Sequence, residues 1–198
     1  SSEFVSNISM SMVSMLYNVQ LLRYAGEDGV AAYGVLMYVN LIFLAAFIGY
    51  SVGTAPVIGY HYGAGNHREL KGLLKRSLVL VVMLAAGEIL ARPLSQIFVG
   101  YDQGLMDMTM RGFVIYSFSF LFAGVGIFGS SFFTALNNGL VSAVISFLRT
   151  LVFQVVAVLV LPLFWKLDGI WMSMVAAELL ATAVTVLFLI SKRKQYHY

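Results

Sequence analysis

Apolar residues gather into windows of about twenty positions, parted by short clusters of glycine, asparagine and charge. A bilayer core of about 30 Å needs roughly 20 helical residues at about 1.5 Å each. Six windows of that size occur, approximately Phe4 to Tyr24, Ala31 to Tyr60, Ser77 to Leu94, Phe113 to Leu136, Leu140 to Trp165 and Ile170 to Ile190. They are about twice as long as a membrane strand requires and show no sustained two-residue alternation. The pattern predicts an all-α integral membrane protein, a bundle of six transmembrane helices. The links are Gly26 to Gly29, Gly63 to Arg76, Ser95 to Arg111, Asn137 to Gly139 and Lys166 to Gly169. Links this short join antiparallel neighbours in one bundle and leave no room for a second domain.

Composition strengthens that reading. The 198 residues are 60% apolar and 11% charged, with a mean hydropathy of +0.88. A soluble domain is about a quarter charged, so this chain carries too little charge to wet its own surface, and disorder is excluded by its apolarity. There are no cysteines, which removes disulfides and thiolate metal sites. Ser1 stands first rather than Met, with no cleavable leader after it, and the chain reads as a piece of something longer.

Charge placement gives an orientation. Arg68, Lys71, Lys75, Arg76, Lys192, Arg193 and Lys194 fall on one side of the membrane, and Arg23, Arg92, Arg111 and Lys166 on the other. The richer side is expected to be cytoplasmic, which places both ends of this segment there, in a multi-pass protein of the cell membrane. Asn66 and Glu69 have capping-box spacing, so a helix is expected to start at His67. Beyond it Arg68, Lys71 and Lys75 share one face, with Leu70, Leu73, Leu74 and Ser77 turned elsewhere. That face suits anionic lipid. It lacks interleaved aromatics, so no nucleic-acid role is expected.

The first span carries the most informative pattern. On a helix, Glu3, Asn7, Ser11, Ser14 and Asn18 fall within a sector of roughly 80°. Lipid cannot satisfy such a stripe. It faces either another helix, as hydrogen-bonding glue, or a hydrated cavity, and an interior carboxyl such as Glu3 favours the cavity. Tyr33, Met37, Asn40, Phe47 and Ser51 share a face of the second span. Tyr116, Phe120, Ser130 and Thr134 align in the fourth, and Ser142, Ser146, Arg149 and Phe153 in the fifth. Together these faces predict a wet, aromatic-walled cleft.

Three ionisable groups lie deeper. Glu88 has Arg92 four residues on, the spacing of a helical ion pair. Arg149 sits about 16 Å along its helix and requires an interior partner. Glu178 has no cation within one turn and reads either as a proton carrier or as a carboxyl hydrogen-bonded in its protonated form. Gly124 to Gly129 spells a dinucleotide fingerprint, but it sits mid-span with no acid until Asp168 and reads as helix packing or a hinge. His61, His67 and His197 all fall in links or the tail, so no base is available to activate Ser130 or Ser131, and no intramembrane histidine offers a metal ligand. No enzyme and no cofactor is expected.

Gly53 to Asn66, reading GTAPVIGYHYGAGN, together with SFLRTLVFQ and LVLPLFWKLDGIWMSMVAAE between Ser146 and Glu178, resembles the C-terminal half of a multidrug and toxic compound extrusion (MATE) transporter. The run from Gly26 to Tyr33 resembles that family's turn between helices seven and eight. The resemblance implies one lobe of a two-lobed, twelve-helix protein, with an N-terminal six-helix lobe missing from this chain. It also implies export of small cationic, amphiphilic compounds by alternating access, driven by H+ or Na+ antiport. The acidic positions expected on helices seven and ten of the sodium-coupled branch are Asn7 and Gly126 here. Glu3 stands one turn before Asn7 as a substitute, and the missing lobe is the preferred home for the coupling carboxyl. On this reading Glu3, Asn7, Ser11, Asn18, Tyr33, Tyr38, Asn40 and Glu178 line or tune the pathway. Gly49, Gly53 and Gly59 allow close helix approach, Pro56 bends the end of its span, and Arg149 is structural. Two rivals are a lipid-linked oligosaccharide flippase of the same superfamily, which calls for more interior Arg and Lys, and a non-transporting membrane scaffold in which the stripes only glue helices.

Overall fold

Helices end in this chain where a residue tolerates a left-handed backbone or caps the next helix. The computed structural model describes the backbone of residues 2–86 and 103–198, with side chains over 8–83 and 104–198. The side chains of Glu3 and Asn7, the Glu88 and Arg92 pair, and residues 95–102 of the link beginning at Ser95 therefore lie outside the described residues. Helix α1 runs Ser2–Gly63 but is broken at Gly26 (φ 66°, ψ −154°), a conformation glycine adopts without penalty. Tyr17 and Tyr33 stack across the break with ring centroids 5.3 Å apart. A continuous helix would separate them by about 24 Å, so the chain folds back on itself at Gly26.

Helix α2 spans His67–Ala86. Its start is the expected one, with Asn66 Oδ1 accepting the Glu69 N–H at 3.4 Å. Arg68, Lys71 and Lys75 are exposed while Leu70 and Ser77 are buried, as the face analysis requires. Helix α3, Gln103–Ala135, begins ten residues before the predicted span. It is the central rod and meets each of the others. Helix α4 (Gly139–Phe147) passes through a π-helical turn, Leu148–Val152, into α5 (Phe153–Tyr196). A second hairpin interrupts α5 at Lys166 (φ 50°, ψ −124°). It is tight enough that a side chain on Gly169 would overlap the Leu161 carbonyl.

The two ends of the bundle sort the charges as the sequence suggests. His67 and His197 rings lie 5.1 Å apart, which brings the basic start of α2 to the basic end of α5. Arg111 pairs with Asp168 at the far end of α3, about 36 Å from Ala135 by helical rise. The C-terminus straps the basic end. Tyr198 donates to the Leu189 carbonyl at 3.0 Å; burial, reinforced by Tyr196, pushes its phenol up to about 12, so it remains a donor at neutral pH.

Asn138 ties the strap to the turn between α3 and α4. Its Oδ1 accepts the Val141 N–H at 3.2 Å, and its Nδ2 donates to Tyr196 Oη at 2.7 Å. Loss of the cap costs about 0.5–2 kcal/mol and of the second bond about 1 kcal/mol. Asn138→Ala is expected to lower the thermal midpoint of the full-length protein in detergent, and Asn138→Ser, which still caps, to recover only the first part. An alanine variant as stable as the parent would show that neither bond contributes.

The exterior is apolar, with Met15, Leu41, Leu163, Phe164 and Ile190 all exposed, while Ser9, Ser119, Ser173, Thr185 and Glu178 are buried. Among the described residues three helices, Ile8–Gly63, Gly104–Ala135 and Gly139–Tyr196, are long and apolar enough to cross a membrane. The described residues contain no strand.

Candidate functional site

One face from each of several rods closes on a cavity of about 250 Å³. The first rod of α1 contributes Met10, Val13 and Ser14, and the second contributes Tyr33, Met37, Asn40 and Leu44 at successive helical turns. Tyr116, Ser119 and Phe120 come from α3. Arg149, Thr150 and Gln154 come from the π-turn and the residues after it, and Met174 and Glu178 from the last rod. Behind this wall Tyr17 and Ser173 share a hydrogen bond of 2.7 Å, and Ser173 donates onward to the Ile170 carbonyl.

The charged feature of the cavity is an ion pair. Arg149 Nε donates to Glu178 Oε2 at 2.8 Å, and the two side chains are 15% and 4% exposed. The interior partner that Arg149 requires is thus Glu178. Glu178, which has no cation within one turn of its own helix, receives one from another helix. A side chain on Gly126 would come within 3.1 Å of Arg149 Cδ and 3.4 Å of Nε. Gly126 thus makes room for the arginine stem where an acid was expected from the family resemblance.

Of the other predicted pathway residues, Tyr33 and Asn40 line this cavity, as does Ser14 from the same stripe. Ser11 and Asn18 lie instead along a shallow open groove with Met10, Ser14, Met15 and Val19. There Asn18 Nδ2 donates to the Ser14 carbonyl at 3.0 Å, so the stripe partly satisfies itself. Tyr38 is exposed and borders a second shallow groove with Gly34, Met37, Asn40 and Leu41. The expected polar face of Ser130, Thr134, Ser142 and Ser146 is not a cleft wall. Ser130 Oγ lies 2.9 Å from Ser142 Oγ and 2.8 Å from Ser146 Oγ, and Thr134 donates to Ser142 at 2.7 Å, so these hydroxyls lace α3 to α4.

The packing glycines also differ from expectation. A Cβ on Gly49 or Gly53 would meet nothing within 4 Å, and one on Gly59 only the Ala135 carbonyl at an ordinary 3.5 Å. Close approach belongs to α3, where a Cβ on Gly124 would overlap Val81 and one on Gly129 would overlap Thr185. The fingerprint-like run is therefore helix packing. Pro56 lies inside α1, whose recorded departure from helical dihedrals is at Gly26. Among the described residues no three His, Asp or Glu side chains gather as a metal site.

Gln154 and Thr150 were not singled out from the sequence. Residues five apart, such as Arg149 and Gln154, point about 140° apart on a regular α-helix. The π-turn, with its i to i+5 bonding, swings them toward one face.

Comparison with known proteins extends this picture. The structure is similar to an outward-facing multidrug resistance MATE family transporter of the MOP superfamily, with 20% identity and a TM-score of 0.87, covering 98% of this chain and 45% of that chain. It is similar to the Vibrio cholerae MATE transporter VcmN in its bent form, with 18% identity, a TM-score of 0.86 and coverage of 98% and 45%. It is also similar to a MOP superfamily transporter from Pyrococcus furiosus whose binding pocket is described as having reverse polarity, with 20% identity, a TM-score of 0.85 and the same coverage. At these identities the likeness is one of fold, and the chain spans about 45% of the length of these structures. No curated protein sequence matches it. The family model MatE matches residues 4–160, well over half of the sequence, and this chain, a partial MATE-like domain in an all-helical membrane fold, therefore belongs to the MatE family.

Proposed function

We propose that this chain is the C-terminal lobe of a secondary active exporter, which moves small cationic amphiphiles out across the cell membrane by H+ or Na+ antiport. Its six crossings pack against an N-terminal six-helix lobe of the same protein, with both ends of this segment cytoplasmic. The observation that carries the reading is the cavity itself. Tyr33, Tyr116 and Phe120 bring aromatic rings, Met10, Met37 and Met174 bring adaptable thioethers, and Arg149 with Glu178 supplies the polar anchor. Aromatic rings suit an organic cation, and methionine tolerates varied shapes.

Transport then follows from differential binding. The lobe rocks against its partner between two states, and substrate and coupling ion favour different ones. The arginine stem takes the space beside Gly126, the α3 position where the family resemblance calls for an acid, which supports a coupling carboxylate in the other lobe or at Glu3. The flippase alternative is less well supported, since the interior arginine seen among the described residues, Arg149, is paired with Glu178.

Full-length protein in liposomes is expected to expel a cationic dye only when a proton or sodium gradient is imposed. Export independent of both gradients would end the reading. Thiol labelling separates it from a scaffold role. In an otherwise cysteine-free full-length protein, Asn40→Cys is expected to react with a membrane-impermeant reagent and Ser142→Cys, inside the serine lacework, to stay inert. An inert thiol at position 40 would favour the scaffold.

A further inference from the structure

Arg149 holds Glu178 through Nε alone. Among the described residues its two Nη nitrogens make no other hydrogen bond, and none of its nitrogens is sealed from the cavity as a fully buried, unpaired atom. The side-chain amides of Asn40 and Gln154 likewise have no hydrogen-bond partner among the described residues, and both line the same cavity. The wall therefore presents a guanidinium edge and two amides capable of donating, while the Glu178 carboxylate sits deeper, at 4% exposure against 15% for Arg149. We infer that this cavity recognises the carboxylate of a zwitterionic amphiphile, bound through the free edge of Arg149.

Chemistry narrows the class. A guanidinium offers parallel N–H donors that match a carboxylate bidentately. One edge is committed to Glu178, and the Nη edge remains. Arg149 and Glu178 together are neutral, so a simple organic anion would leave an uncompensated negative charge in a low-dielectric wall. A ligand that brings its own cation avoids this. The cation would lie against Tyr33 or Phe120, within the reach of a ring face. This deepens the exporter reading and rests on the cavity being the substrate site.

The test uses two probes that differ only at the acid: rhodamine 110, with a free carboxylate on a cationic dye, and its methyl ester. Binding to full-length protein in nanodiscs is read by fluorescence polarisation without any gradient. The acid is expected to bind at least about tenfold tighter than the ester, the scale of a charge-assisted pair. Arg149→Gln is expected to remove that preference, and Arg149→Lys, a point charge without the fork, to keep only part of it. Because Arg149→Gln strands Glu178, the uncharged double variant R149Q/E178Q is measured beside it and is expected to lose the preference too. Equal affinity of the parent protein for acid and ester overturns the inference, as does a preference that survives in the double variant. A protein that prefers the acid but fails gradient-driven export keeps this inference while the exporter reading falls. One that exports but binds acid and ester alike does the reverse.

Discussion

Glu178→Ala is expected to destabilise the full-length protein by about 3–5 kcal/mol, the scale seen when one partner of a buried ion pair is deleted. The carboxylate is 4% exposed and its arginine 15%, so an arginine left alone is solvated only along the edge that faces the cavity. Arg149 has little freedom to escape. Its stem crosses the bare backbone of Gly126, where an added Cβ would lie 3.1 Å from Cδ, and its own backbone is held in the π-turn Leu148–Val152. The loss is therefore mainly the desolvation of a stranded guanidinium rather than the worth of one 2.8 Å bond. A neutral, volume-matched pair, Arg149→Met with Glu178→Leu, is expected to recover most of the stability, since two apolar side chains carry no such penalty. Thermal unfolding in detergent followed by tryptophan fluorescence measures both. If the single variant unfolds within about 1 kcal/mol of the parent, a typical neutral hydrogen bond, water reaches the pair and its buried character is refuted.

That pair illustrates which information the linear pattern holds. A lone arginine deep in an apolar window demands a partner on energetic grounds, and Glu178 was visible as an acid without a local cation. Their meeting was not visible, because 29 residues and a hairpin separate them. Local signals fared better. Gly26, Asn66 and Asn138 mark helix ends through φ preference and capping chemistry, which depend on neighbours in sequence. Faces fared worse. Helical periodicity puts Ser130 with Thr134 and Ser142 with Ser146, yet cannot say whether such a face meets water or another hydroxyl row. Here the two rows meet each other. Glycines posed the same difficulty. Those of the second rod and those of α3 look alike in sequence, and only the neighbouring helix decides which of them needs to lack a side chain. The π-turn left no compositional trace at all, although it sets where Arg149 and Gln154 stand.

Gly124→Val tests that last distinction directly and should be the more disruptive of the packing variants. The position lies where α3 crosses the second rod of α1 and α2. An added Cβ would overlap Val81 Cγ1 and sit 2.9 Å from Phe47 Cε1 and 3.1 Å from Phe47 Cδ1. Val81 is 0% and Phe47 1% exposed, so both are hemmed in and neither ring nor methyl can swing outward. Overpacking of this kind costs about 1–3 kcal/mol, and more where the neighbours cannot yield. A glycine replaced in mid-helix regains at most about 1 kcal/mol in propensity, which is too little to offset it. The variant is expected to lose at least about 2 kcal/mol of stability, or to fail to insert as a folded protein. Gly53→Val, whose new Cβ meets nothing within 4 Å, is expected to be nearly silent in the same assay. Trimming the obstacle supplies the internal check. Val81→Ala opens space on the side of the clash, so the double variant Gly124→Val with Val81→Ala is expected to be more stable than Gly124→Val alone, a coupling that only contacting residues show. Additive effects of the two substitutions would mean that α3 and α2 do not touch at Gly124, and the central position of α3 in the bundle would have to be given up.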